Sequence, residues 1–310
     1  MLSDKAKGYI IGALGAASYG TNPLFALPLY AEGMTPNSVL FFRYLLAIPL
    51  MGLMLLFRRG SDQFKINGKQ GILLFVMGIL MAVSSLTLFL SYTYMDAGIA
   101  STLLFVYPIM VALIMALGFH EKITIATSLC IVMALTGIAM LFKKTDGTTL
   151  SVTGTVLVMM SSLSYAVYIV GVNQSKLRYM PTLKVIFYVL LFGLTVFIVK
   201  ILYGNTFTLP QSVLSWVCLI GLAVLPTAVS FLCTTSAIQL IGPTPTAILG
   251  ALEPVTAVLI GVLLFGETVT PRVLLGMILI LLAVSLVVGG GNVHRKILHI
   301  HRLFPRKRQK

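Results

Sequence analysis

Apolar residues run along this chain in long blocks rather than in an alternating or one-faced pattern. Each block matches the roughly 20 residues that carry a helix across a bilayer. The blocks predict helices near residues 8–30, 36–57, 71–93, 97–119 and 123–142, then near 152–173, 182–203, 213–238, 244–265 and 271–289. The polar stretches between them are too short to fold alone. The pattern therefore predicts an all-α integral membrane protein with ten transmembrane helices, and only the stretch from Asn292 to Lys310 falls outside it. The first block has Lys5 and Lys7 ahead of it but is too long for the apolar part of a signal peptide.

The blocks repeat. Shifting the chain by 146 residues aligns Ser18-Tyr19 with Ser164-Tyr165, Met34 with Met180, Ala82-Val83-Ser84 with Ala228-Val229-Ser230, and Pro108 with Pro254. The same ungapped diagonal pairs Leu113-Ile114 with Leu259-Ile260, Phe119 with Phe265, Glu121 with Glu267 and Thr124 with Thr270. Leu and Ile matches are cheap in so apolar a chain; Tyr, Pro and Glu matches in one register are not. The expected units are residues 1–146 and 147–291, each of five helices, followed by a basic tail, 292–310. Five is odd, so the second unit enters the membrane facing the other way, which makes the repeats inverted.

Composition agrees with a lipid environment: 58% of the 310 residues are hydrophobic and 10% charged, against about a quarter charged in soluble domains. The net charge of +14 reads as topology rather than as nucleic-acid binding. With the N-terminus inside, the inner segments hold Lys5, Lys7, Arg58, Arg59, Lys65, Lys69, Lys122, Lys176, Arg178, Lys184 and the tail's seven bases, whereas the outer segments hold Lys143, Lys144, Lys200 and Arg272. Positive residues collect on the cytoplasmic side, so both termini are expected there. The tail's mixture of basic and apolar residues reads as a helix on an anionic inner leaflet. Cys130, Cys218 and Cys233 lie in apolar runs and read as packing residues. His120-Glu121 is no zinc motif, because the second His would fall at Thr124.

Two five-helix units, each closing its fourth span with Phe119-His120-Glu121-Lys122-Ile123-Thr124 or Phe265-Gly266-Glu267-Thr268-Val269-Thr270, resemble the EamA family of the drug/metabolite transporter superfamily. The likeness spans residues 8 to 289 and includes Pro108 and Glu253-Pro254. It implies a transporter whose first, third, fourth, sixth, eighth and ninth spans line a central cavity, with the others bracing it. Export of amino acids and other metabolites follows from that resemblance alone. His120 and Tyr107 depart from Gly266 and Glu253 of the second unit, leaving one acid in the core.

That acid, Glu253, is the strongest candidate, since a carboxylate midway along a span costs a few kcal/mol to insert and must face protein or water. Pro254 removes a backbone donor and is expected to free the carbonyl of Gly250, as in the broken helices of transporter sites. A carboxyl so placed can take a proton on one side and release it on the other, so protons are the expected coupling ion. The competing reading is a protonated side chain that serves packing. Arg43, the one base placed away from the ends of a span, either snorkels outward or pairs with a substrate carboxylate or with Glu253. Tyr19, Asn22, Tyr165 and Tyr168, with Tyr107 at the place equivalent to Glu253, offer hydrogen-bonding groups in both halves. Ser84 and Ser230, beside Ser85 and Thr227, add hydroxyls. Against them stands the habit of Ser and Thr to bond their own helix and of Tyr to mark the interface. Glu121 and Glu267 read as caps of the helices that follow, together with Thr124 and Thr270.

The expectation is a secondary transporter of a small polar or amphipathic metabolite, without cofactor or metal, in a plasma membrane such as a bacterial inner membrane. An importer of the same fold and an intramembrane enzyme are the alternatives. The enzyme is opposed by the absence of paired acids, HExxH and GxSxG, and the absence of a P-loop points to an ion or solute gradient as the driving force.

Overall fold

The computed structural model describes residues 4–57, 64–120, 125–141, 151–204, 207–241, 246, 249–283, 285 and 286. Among them there are helices and no strands. The first half holds α1 (Asp4–Gly20), α2 (Asn22–Ala31), α3 (Pro36–Leu56), α4 (Gly68–Ser91), α5 (Ala97–Leu104), α6 (Tyr107–Phe119) and α7 (Ile125–Leu141). The second holds α8 (Val152–Asn173), a 3₁₀ turn (Lys176–Tyr179), α9 (Thr182–Leu202), α10 (Val213–Ala223), a π turn (Val224–Val229), α11 (Ser230–Ile241), α12 (Leu252–Phe265) and α13 (Pro271–Ala283).

Six helical stretches are long and apolar enough to cross a membrane: Pro36–Leu56, Gly68–Ser91, Ala97–Phe119, Val152–Asn173, Thr182–Leu202 and Val213–Ala237. The expected first span is interrupted at Thr21 and the ninth at Gly250–Ala251, while α7 and α13 are shorter apolar helices. The outward faces carry Ile72, Leu117, Val213 and Leu263, each more than two-thirds exposed. Apolar surface on that scale belongs against lipid rather than water. Outside the described residues lie the repeat boundary near 146, the tail, and Glu121, Lys122 and Thr124.

Packing between the halves follows one scheme. In the middle, α4 lies against α8 and α9, and α1 against α11 and α12. Exchanging equivalent spans of the two halves turns the α4–α8 contact into the α1–α11 contact, and returns the α3–α9 and α5–α12 contacts to themselves. Lipid supplies no hydrophobic drive for helix association, so close approach of small residues and interhelical hydrogen bonds carry it. At the α4–α9 crossing a Cβ on Gly78 would come within 2.9 Å of the Gly193 nitrogen. Between α4 and α8, the Ser161 hydroxyl donates to the Ser84 carbonyl at 2.7 Å and the Ser84 hydroxyl to the Ser161 carbonyl at 3.0 Å.

Candidate functional site

Four spans are interrupted near their middles, each at a proline. Proline lacks an N–H, so the carbonyl four residues earlier loses its helical partner; buried in a membrane, that carbonyl needs another. Pro23 strands the Tyr19 carbonyl, and the Asn22 amide donates to it at 2.8 Å. Pro108 strands that of Leu104, and the Ser162 hydroxyl of α8 donates to it at 3.0 Å. Pro226 strands that of Leu222, and the Thr227 hydroxyl fills it at 2.9 Å. For Pro254 the expectation needs correction. The Gly250 carbonyl is not freed but accepts the Glu253 N–H at 3.0 Å, because α12 starts just there and Pro254 sits in its first turn, where a missing donor costs nothing.

The breaks at Phe105–Val106 and Gly250–Ala251 coincide to within one residue under the 146-residue shift, so Tyr107 is the first residue of the half-helix α6 and Glu253 the second of α12. Tyr107 packs edge-on against Tyr165 with ring centroids 4.7 Å apart, and Tyr165 stacks on Tyr168 at 6.0 Å. Tyr19 lies within electrostatic reach of Arg43, Glu253 and Tyr44, and Tyr165 within reach of Tyr107, Tyr19, Glu253 and Tyr168. Tyr19, Tyr107, Tyr165, Tyr168 and Glu253 are each half-buried. Where α1 meets α12, a Cβ on Gly20 would strike the Glu253 carbonyl and lie 2.7 Å from the Thr256 Cβ. Only glycine lets the two helices approach so closely beside the acid.

Arg43 does not snorkel. It is 6% exposed; its Nε donates to Thr227 Oγ1 at 3.1 Å, and its guanidinium lies 5.5 Å from the centre of the Phe89 ring. Nor does it pair with Glu253: the ion pair among the described residues is Lys7–Asp4. Arg43 and Tyr44 thus bring the second span to a site from which the resemblance excluded it. The Tyr44 hydroxyl meets Ser85 at 3.0 Å, and Tyr30 donates to the Phe89 carbonyl at 3.1 Å.

The remaining expected residues divide. Asn22 is buried, and its Oδ1 has no partner. Ser84 sits in the α4–α8 seam, bonded to Ser161, and Ser230 is buried where the π turn passes into α11. Tyr30, Tyr44, Tyr92 and Ser162 belong to the neighbourhood but were not expected there. Adjacency to Arg43 was a signal for Tyr44; Tyr30 and Tyr92 carry none, since tyrosines near span ends resemble an interfacial belt.

Glu267 also needs correction. Its carboxylate accepts the N–H groups of Ala97 at 2.7 Å and Gly98 at 3.2 Å, so it caps α5 in the other half rather than the helix that follows it. Thr270 does cap that next helix, accepting from the Val273 N–H at 3.3 Å.

Long apolar helices, several of them interrupted beside buried polar side chains, mark a multi-pass membrane protein. The sequence profile of the EamA-like transporter family matches residues 6–143 and again 152–289. The chain belongs to that family. It is 29% identical over 194 residues to an uncharacterized transporter of Archaeoglobus fulgidus, the match covering 61% of this chain and 66%, just under two thirds, of that relative. A solved crystal structure, 16% identical, superposes with a TM-score of 0.66 over 94% of this chain and 98% of its own; that likeness speaks to fold alone.

Proposed function

We propose that the protein is a secondary transporter that moves a small polar or amphipathic, amino-acid-like metabolite by alternating access between two inverted five-helix units, ten spans in all. The observation that carries this reading is the paired break of the fourth and ninth spans, which sets Tyr107 and Glu253 at equivalent places beside Tyr19 and Tyr165. Half-helices meeting at a polar space are the usual construction of a transporter binding site. Tyr19, Asn22, Tyr107, Tyr165 and Tyr168 then hold the solute, with Ser84 and Ser230 stabilising the surrounding helices. Glu253 carries the coupling proton. Export is the favoured direction, and the surplus of bases in the inner segments supports cytoplasmic termini in a plasma membrane. Flux of labelled metabolites into proteoliposomes tests the reading. Accumulation of unmodified solute supports it; chemical conversion of the solute, or none crossing from a broad metabolite panel, refutes it.

A further inference from the structure

A buried guanidinium in a membrane protein is ordinarily balanced by a carboxylate, because an uncompensated charge away from water is costly. Among the described residues none balances Arg43, and the core acid Glu253 stands apart from it. What surrounds Arg43 is neutral: the Thr227 hydroxyl on Nε, the face of Phe89, and Tyr19, Tyr30, Tyr44 and Tyr92 within electrostatic reach. Only Nε is committed. The two terminal nitrogens keep a planar donor edge that matches two oxygens of one group, and of the four tyrosines Tyr19 has the hydroxyl to suit a remaining lone pair, those of Tyr30 and Tyr44 being bonded already.

We infer that Arg43 is an anion receptor that takes a carboxylate of the transported solute on the terminal nitrogens of its guanidinium, and that Thr227 transmits this binding to the π turn of span eight. The inference rests on the reading of the central cluster as a solute site. Its second half follows from a shared atom. Thr227 Oγ1 accepts from Arg43 and donates to the Leu222 carbonyl that Pro226 leaves unpartnered. A carboxylate that draws the guanidinium toward itself pulls on the same hydroxyl that closes the turn, so the segment in the second half feels a charge bound by span two. The chain's one tryptophan, Trp216, lies on α10 just ahead of this turn and packs edge-on against Phe42, the neighbour of Arg43, with ring centroids 5.8 Å apart. It is a built-in reporter.

The test uses the full-length protein in lipid nanodiscs and two probes of one shape, benzoate and benzamide, titrated by calorimetry at fixed sodium chloride. Charge-assisted hydrogen bonds contribute roughly ten- to a hundredfold in affinity, so benzoate is expected to bind at least about tenfold tighter than benzamide, and to change Trp216 fluorescence. Arg43→Gln should erase that preference, and Arg43→Lys should reduce it, since an ammonium lacks the two-point edge. Thr227→Val should lose the Trp216 response at saturating benzoate. Equal binding of the two probes by the wild type, a preference that survives in folded Arg43→Gln, or displacement of benzoate by an equal concentration of chloride overturns the receptor. A Trp216 response unchanged in Thr227→Val overturns the link. If Arg43→Gln fails to fold, an undiminished preference in Arg43→Lys is the overturning result. Failure of transport is distinguishable: Arg43-dependent benzoate binding without any solute flux sinks the transporter reading and leaves the receptor, whereas flux with a charge preference indifferent to Arg43 does the reverse.

Discussion

Replacing Glu267 with alanine removes a carboxylate that bridges the C-terminal end of α12 to the N-terminal end of α5. Two amides lose a charged acceptor, Ala97 N–H at 2.7 Å and Gly98 N–H at 3.2 Å. A cap of this kind is worth about 1–2 kcal/mol, and the favourable placement of a negative charge at a helix N-terminus adds roughly 0.3–1 kcal/mol. Water at the membrane surface can recover part of the loss, so Glu267→Ala should cost about 1–3 kcal/mol. Glu267→Gln keeps one acceptor oxygen and gives up the charge, for about 1 kcal/mol or less. The geometry supplies a second, independent perturbation. A Cβ on Gly261 would overlap the Glu267 carboxylate, so Gly261→Ala should displace the cap and reproduce most of the loss. The double variant should then fall well short of the sum, as expected for residues acting through one contact. Thermal unfolding in a single detergent, followed by loss of monodisperse protein, measures all four. An alanine variant as stable as wild type, or fully additive effects of Gly261→Ala and Glu267→Ala, would refute the argument that this carboxylate joins the two halves.

Two further outcomes follow. Reporters fused after Lys65 and Lys176 should be cytoplasmic and those after Gly147 and Asn205 external; two halves in the same orientation would remove the inverted repeat. Ser84→Ala and Ser161→Ala should each cost about 0.6 kcal/mol, the average for interhelical hydrogen bonds in membranes, and no more than about 1.7 kcal/mol, and leave solute preference unchanged; a change in preference from Ser84→Ala would return that residue to the binding site.

Block lengths and the 146-residue diagonal made the helices and the duplication legible, because each repeat must satisfy the same bilayer and keeps its helix ends in register. The breaks were only half legible. Pro23, Pro108, Pro226 and Pro254 are plain in the sequence, but the groups that take over the stranded carbonyls are local for Asn22 and Thr227 and distant for Ser162. Glu267 misled for a related reason: a carboxylate just before a helix reads as that helix's cap, while in space the start of α5 is the end it serves. For Arg43 the sequence leaves snorkelling and pairing equally open. What holds it inside, Thr227 and Phe89, comes from two other spans and leaves no trace in neighbouring residues.

The central claim is that Glu253, in the first turn of a half-helix at the middle of the bundle, couples solute movement to a proton. The most direct measurement compares two fluxes in proteoliposomes for wild type and Glu253→Gln: accumulation driven by an imposed pH gradient, and exchange of labelled for unlabelled solute with no gradient. Glutamine keeps the shape and the hydrogen-bonding capacity but cannot titrate. The account predicts that the variant inserts and exchanges solute while gradient-driven accumulation is lost. Normal uphill accumulation by Glu253→Gln at every pH would contradict it and make Glu253 a hydrogen-bonding group of the wall.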